Sequence, residues 1–267
     1  MMLLVDFGNT RTKWLVVSDS DADAWAVSGE NSLNHEWRAC GYESSAIHIV
    51  EQISKDLPSS STLIVVASVK PSVSEPIVDI LREKYRVHCV VSESAFEGLV
   101  NAYSDPTAMG IDRWLAMIAG YRRSQGQSFI VVDCGTAITL DAVLETGQHM
   151  GGFILPGLNK QLNALLSNTE QVHSGQIRPE VSVELGQNTQ ACVFNGIVTQ
   201  IVALVEKISS QISANGFPKV ILTGGDGKLI KDLLIKEISE ESENVTYVPL
   251  LVFEGLLTNA LKELKKM

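Results

Sequence analysis

Cysteine is scarce in this chain: four in 267 residues, Cys40, Cys89, Cys134 and Cys192, with no CxxC pair. That scatter excludes a disulfide framework and a cysteine-ligated zinc site, and it fits the reduced thiols of a cytoplasmic protein. Basic residues are also short, 21 against 31 acidic ones, for a net charge of −10. A broad nucleic-acid surface needs clustered Lys and Arg, so nucleic acid is not an expected partner. An anionic ligand must be held by a few local positive groups against an unfavourable overall field. The five histidines, His35, His48, His88, His149 and His173, have no metal-ligand spacing. His149, just before Gly151, reads as a plain core or surface residue. No Ser-His-Asp or Cys-His arrangement is legible. Long apolar runs are missing too. The N-terminal run ends at Asp6, too short and too acidic for a signal peptide, and no stretch approaches the ~20 apolar residues of a membrane span. A soluble cytoplasmic protein without a membrane partner is expected.

What is present is apolar and ordered. Hydrophobic residues make up 45% of the chain, enough for a sizeable core. LLVDF, KWLVVSD and DAWAVSG read as three strands, SSAIHIVEQISKDL as a helix, LIVVASV as a buried strand. PSVSEPIVDILREKY reads as a helix opened by Pro71, and VHCVVS as a further strand. After residue 115 the order begins again. FIVVDC, TAITLDAVLE and MGGFILPG read as strands, and LNKQLNALLSN as a helix with Leu158, Leu162, Leu165 and Leu166 on one face. A long helix from about Thr189 to Ser213 follows. Strand KVILTGG, helix GKLIKDLLIKEI, strand VTYVPL and helix FEGLLTNALKELKK close the chain. VDFGNT at Val5–Thr10 and VDCGTA at Val132–Ala137 share one skeleton, a buried strand followed by Asp-x-Gly and a polar turn. Such a repeat implies duplicated domains, 1–115 and 116–267, with a ligand cleft between them.

A strand that ends in Asp-x-Gly and turns into another strand presents backbone N–H groups toward an anion. Asn9, Thr10, Thr136 and Thr139 can add side-chain donors, and Lys13 adds charge beside the first turn. The other reading is an ordinary hairpin turn, for which Gly-Asn-Thr is good chemistry. Asp6 and Asp133 would repel phosphate unless a cation stands between, so each is a candidate ligand for Mg²⁺ or another cation; otherwise they cap turns. KVILTGGDG is a third glycine site, where a flat or phosphorylated group can lie against bare backbone. In NAYSDPTAMGIDRW, Arg113 can grip a carboxylate with two prongs, and Asp112 can accept a proton from an attacking hydroxyl. The bland alternative is a helix-start acid beside a surface arginine. The four tryptophans read as core or interface. The apolar residues between Val193 and Ile208 suit a dimer interface or burial in their own domain.

DFGNTRTK, NAYSDP, GIDR, DCGTAITLD, GGFILPG and TGG occur in an order and wording that resemble type III pantothenate kinase over nearly the whole chain. GIDR together with DCGTA is specific; the phosphate turns and TGG are shared with the wider acetate kinase, sugar kinase, Hsp70 and actin superfamily. The resemblance implies an α/β chain of two ribonuclease-H-like domains facing across a cleft. It implies ATP-dependent phosphorylation of pantothenate to 4'-phosphopantothenate, the first step of coenzyme A synthesis. By similarity Asp6, Phe7, Gly8, Asn9, Thr10, Arg11, Thr12 and Lys13 form the first phosphate loop, with Asp6 as a Mg²⁺ ligand, and Thr136 belongs to the second. Asp133 matches the ligand of a monovalent cation, K⁺ or NH₄⁺. Asp112 matches the proton acceptor. Tyr103, Gly110, Ile111, Asp112, Arg113 and Thr189 match pantothenate contacts, and the family is homodimeric. Two other readings are a non-catalytic accessory or regulatory member of the family, and another small-molecule kinase of the superfamily.

Overall fold

The computed structural model describes residues 1–28, 38–41, 46–57, 62–166, 181–212, 217–237 and 239–265. His35, Trp37 and His173 lie outside them. Contacts divide the chain into two units, Met1–Arg123 with Leu250–Met267, and Ser124–Pro249. The expected boundary after residue 115 falls inside a helix, and the closing helix groups with the first unit.

In the first unit the order is β1 (Met2–Phe7), β2 (Arg11–Val17), α1 (Asp19–Ser28), β3 (Arg38–Gly41), α2 (Ala46–Lys55), β4 (Leu63–Ser68), α3 (Pro71–Arg82) and β5 (Arg86–Cys89). A short hairpin, β6 (Ala95–Phe96) and β7 (Leu99–Val100), and α4 (Ile111–Ser124) follow. The sheet order is β3-β2-β1-β4-β5. β1 pairs antiparallel with β2 and parallel with β4, and all six of its residues are buried, as a central strand requires. Its odd-numbered residues Leu3, Val5 and Phe7 join Trp14, Ile49, Ile53 and Ile77 in one core.

In DAWAVSG, the described residues Asp23 to Ser28 are helix, not strand. Ser18 accepts the Asp21 N–H at 3.1 Å through its hydroxyl and the Ala22 N–H at 3.0 Å through its carbonyl, a helix N-cap backed by Asp19 and Asp21 in the first turn. Ala22 and Trp25, three apart, are the buried pair. The short apolar run Ala24 to Val27 belongs to a helix, and the third strand comes later, at Arg38–Gly41. The β6–β7 hairpin has no counterpart in the sequence reading. Its turn is Glu97-Gly98, with φ of 46° and 101°, as a tight primed turn demands.

The second unit contains β8 (Phe129–Cys134), β9 (Ala137–Val143), β10 (His149–Pro156), α5 (Leu158–Leu166), α6 (Thr189–Ile212), β11 (Lys219–Thr223), α7 (Gly227–Glu237) and β12 (Val245–Tyr247). Its order, β10-β9-β8-β11-β12, repeats the first sheet strand for strand, with the same parallel and antiparallel pairings. The duplication is therefore structural. α8 (Leu251–Lys265) returns to the first unit, where Gly255 touches α4: a Cβ there would lie 2.0 Å from the Leu115 carbonyl.

α6 is long and apolar enough to cross a membrane by length and composition, contrary to the expectation that no stretch came near. Val198, Ile201, Val202, Val205 and Ile208 are nonetheless buried in the core of the second unit, with Leu204 packed against it, and Ile197 is also buried. For these residues the structure matches the burial alternative. Trp14, Trp25 and Trp114 are core residues, and His149 is buried beside Asp141, Nε2 to Oδ1 3.1 Å. Leu165, expected on the buried face of α5, is exposed.

Candidate active site

The first turn is a hairpin, with Asp6 the cross-strand partner of Lys13 and Phe7 that of Thr12. Strand alternation sorts its residues onto two faces. Phe7, Thr12 and Trp14 are buried; Phe7 and Trp14 belong to the core against α2 and α3, and Thr12 Oγ1 has no hydrogen-bond partner. Phe7 and Thr12 can therefore offer a ligand only backbone. Asp6, 7% exposed, lies on the opposite face with half-buried Lys13, while Asn9, Thr10 and Arg11 are exposed at the tip. A Cβ on Gly8 would lie 3.9 Å from Asp6 Oδ2 and 3.5 Å from the Arg11 carbonyl, so the carboxylate is turned along the loop.

The second turn repeats this geometry. A Cβ on Gly135 would lie 3.5 Å from Asp133 Oδ1 and 3.7 Å from the Ala137 carbonyl. The Gly135 N–H donates to that carbonyl at 3.0 Å, and exposed Thr136 accepts the Gly157 N–H at 3.1 Å. Thr223-Gly224-Gly225 closes in from the neighbouring parallel strand. Gly224 has φ +82°, and a Cβ on it would meet Asp133 Oδ1 at 2.5 Å and the Cys134 carbonyl at 2.6 Å. Only glycine fits, on both counts. The Asp226 N–H donates to the Cys134 carbonyl at 3.0 Å, and α7 starts one residue later. Tyr247 donates its hydroxyl to the Gly224 carbonyl at 3.1 Å. Burial, with the Asp133 charge behind it, holds the Tyr247 phenol above its ordinary range.

Asp133 Oδ1 is thus set close to the backbone at Gly135 and Gly224. Among the described residues no three His, Cys, Asp or Glu side chains gather as a metal site. One carboxylate among oxygen donors suits a weakly held monovalent cation better than a divalent ion caged by protein. Asp6 suits a Mg²⁺ whose remaining ligands are phosphate and water.

Beside Asp226, α5, α6 and α7 enclose a mainly apolar pocket lined by Leu158, Leu162, Phe194, Val198 and Leu229. Sequence reading missed it, because its lining comes from separate helices with no shared motif. Thr189 is exposed at the first residue of α6, behind Asn188, whose Oδ1 caps the Ala191 N–H at 2.9 Å.

The remaining expected residues gather in the first unit. Asp112 is the second residue of α4 and accepts the Arg113 N–H at 2.8 Å through Oδ1. A Cβ on Gly110 would lie 2.7 Å from that same oxygen, which leaves position 110 to glycine. Arg113, 7% exposed, donates from Nη1 to the Tyr103 hydroxyl at 2.8 Å, and its guanidinium carbon lies 5.7 Å from the Tyr103 ring centroid. Tyr103 accepts in this bond, so its own O–H is available as a donor. Ile111 is buried. The group offers a carboxylate, a fixed cation and a hydroxyl donor within four residues of one helix start and one loop. Such a set can bind a carboxylated alcohol and take its hydroxyl proton.

Known proteins point the same way. The family model described as type III pantothenate kinase matches residues 2–211. The chain is 33% identical to a type III pantothenate kinase of Colwellia psychrerythraea over 261 residues, 96% of this chain and 98% of that one. It is 37% identical to one from Alcanivorax borkumensis over 232 residues, 85% and 87% of the two. Among solved structures it resembles a conserved Baf family transcriptional activator, so described, from Campylobacter jejuni, with TM-score 0.61 and 19% identity over both full chains. It also resembles a 2-dehydro-3-deoxygalactonokinase protein from Sinorhizobium meliloti, with TM-score 0.56 and 11% identity over 98% and 96% of the chains. These two likenesses show a shared fold, built from two ribonuclease-H-like units.

Proposed function

The chain belongs to the type III pantothenate kinase family, and from that premise we propose which residues carry its reaction. It phosphorylates pantothenate with ATP in coenzyme A biosynthesis. Asp112 takes the proton of the attacking hydroxyl. Arg113 and Tyr103 hold the pantothenate carboxylate, with Gly110 and Ile111 shaping the wall and Thr189 a further contact. The observation that carries this is the fixing of Asp112 by the Arg113 N–H while the Arg113 side chain is fixed by Tyr103.

The phosphates of ATP lie on the two Asp-x-Gly turns. Gly8, Asn9, Thr10, Arg11 and Lys13 serve the first, with Phe7 and Thr12 adding backbone, and Thr136 serves the second. Mg²⁺ at Asp6 supplies charge neutralisation at the phosphates. A monovalent cation, K⁺ or NH₄⁺, sits at Asp133. The apolar pocket beside Asp226 takes the nucleobase, since a flat aromatic group fits Phe194 and leucine better than it fits water. The enzyme is a cytoplasmic homodimer. With the apolar stripe of α6 used in its own core, the exposed Met150, Phe153 and Ile154 on edge strand β10 are the better candidate for the contact.

Asp112→Asn tests the assignment. The amide keeps the shape but takes no proton, so turnover should fall ~10²–10⁴-fold with pantothenate binding largely kept. Phosphopantothenate is read by mass after incubation with Mg-ATP and pantothenate. Near-normal turnover removes Asp112 from the mechanism. A panel of other small alcohols in the same assay separates pantothenate from the substrates of related kinases.

A further inference from the structure

We propose that Asn101 is a positioning residue for the acceptor site and acts through Tyr103; this rests on the reading of Tyr103 and Arg113 as pantothenate contacts. Asn101 is 8% exposed and uses both ends of its amide. Oδ1 accepts the Tyr103 N–H at 3.0 Å, and Nδ2 donates to the Glu93 carbonyl at 3.2 Å. Its own N–H donates to the Ser94 carbonyl at 2.9 Å. The side chain thus bridges the chain entering the β6–β7 hairpin and the chain leaving it, two residues before the phenol that holds Arg113. At the far end of the same loop, buried Ser92 donates its hydroxyl to the Met109 carbonyl at 2.9 Å, next to Gly110.

The consequence is geometric. Tyr103 lies on a loop and has no ladder of its own to fix its backbone. With its N–H held by a buried amide, the phenol is set against Arg113 before substrate arrives. The guanidinium is then aimed, and the Tyr103 O–H is left to the ligand. A site whose donors are already placed loses less freedom on binding. The hairpin itself does not depend on Asn101. The Lys262 ammonium lies 3.9 Å from the Phe96 ring centroid, and Gly98, at φ +101°, fits against the Tyr121 hydroxyl. Loss of the amide therefore loosens Tyr103 and leaves the fold standing.

The test is steady-state kinetics on the full chain, with pantothenate and ATP varied separately, for Asn101→Leu, Asn101→Asp, Tyr103→Phe and the Asn101→Leu/Tyr103→Phe double variant. Asn101→Leu should raise the pantothenate KM about tenfold, with kcat within about twofold and the ATP KM unchanged. Asn101→Asp keeps the acceptor for the Tyr103 N–H and should raise it less. Because Asn101 acts through Tyr103, the double variant should be no more than about twofold worse than Tyr103→Phe alone. Multiplying effects, or a loss spread over kcat and both KM values, would overturn the proposal. So would an unchanged KM in Asn101→Leu when Tyr103→Phe raises it. An unchanged KM in Tyr103→Phe instead overturns Tyr103 as a contact, and the proposal with it. Thermal melts accompany each variant; if the leucine variant does not fold, Asn101→Asp carries the same split between the two KM values.

Discussion

Glu254 is the residue whose loss should be felt most by the first unit. It is 0% exposed on α8 and takes two bonds from Arg123 on α4, Nε to Oε2 and Nη2 to Oε1, each 2.6 Å. Arg123 is 17% exposed. Around the pair, Thr258 donates its hydroxyl to the Glu254 carbonyl at 2.7 Å and receives the Trp25 indole N–H at 3.1 Å. Removing one partner of a buried pair leaves a charge without its counterion and costs about 3–5 kcal/mol. Arg123 keeps some access to water, so the lower end applies. Glu254→Gln should therefore cost about 3 kcal/mol, or roughly 6–12 °C in Tm for a domain of this size. Urea unfolding followed by circular dichroism reads it, with the two units fitted as separate transitions. Arg123→Met with Glu254→Leu should recover most of the loss, because apolar groups of similar volume need no counterion. A cost below about 1 kcal/mol for Glu254→Gln is what an exposed pair would give and would refute the reasoning.

Two shorter predictions concern the second unit and its thiols. Burial, then the charges of Asp133 and Asp226, hold the Cys134 thiol far above its ordinary range, so little thiolate exists at neutral pH. Maleimide with peptide mapping should leave Cys134 unmodified in the folded protein, while exposed Cys192 labels, and Cys89 labels more slowly because partial burial raises its thiol too. Activity should also require a small monovalent cation: exchange of K⁺ for tetramethylammonium at fixed ionic strength should lower the rate strongly, and Asp133→Asn should blunt the response. Equal rates in K⁺, Na⁺ and tetramethylammonium would return Asp133 to a turn-capping role.

The parts of the fold that were legible are those where one signal dominated. β1, β4, β8 and β11 are buried runs at strand length, and the Val-Asp-x-Gly skeleton marked the two hairpins before any coordinates. α1 was illegible because Ala24, Trp25, Ala26 and Val27 form an apolar run of strand length, a window too short to separate two periods. Its deciding feature, the Ser18 cap, lies outside that window. The domain boundary was illegible because α8, last in sequence, packs with β1 and β4, and pattern alone carries no information about such return paths. The candidate site residues that share a contiguous motif, as at Gly110–Arg113, lie together at the start of α4. Asn101 was passed over because its role is to hold a neighbour, and nothing in its residue type distinguishes that from an ordinary loop asparagine.

The duplication also bears on the proposal that two matching carboxylates hold different ions. Asp6 and Asp133 occupy the same register on the central strands of matching sheets. The cross-strand neighbours of Asp6 are Lys13 and Ala67; those of Asp133 are Thr139 and Thr223. A lysine directly opposite a carboxylate offsets its charge at the turn, and the pair can receive a phosphate with one further cation. Two threonines offer hydroxyl dipoles and no net charge. The negative potential at Asp133 is therefore met by no basic residue at either register position, while glycines 135 and 224 keep the space in front of it free of side chains. A phosphate that approaches the second turn meets that carboxylate unless a mobile cation comes with it. At these register positions the first copy carries a positive charge, Lys13, and the second carries none; the cation proposed at Asp133 would supply it.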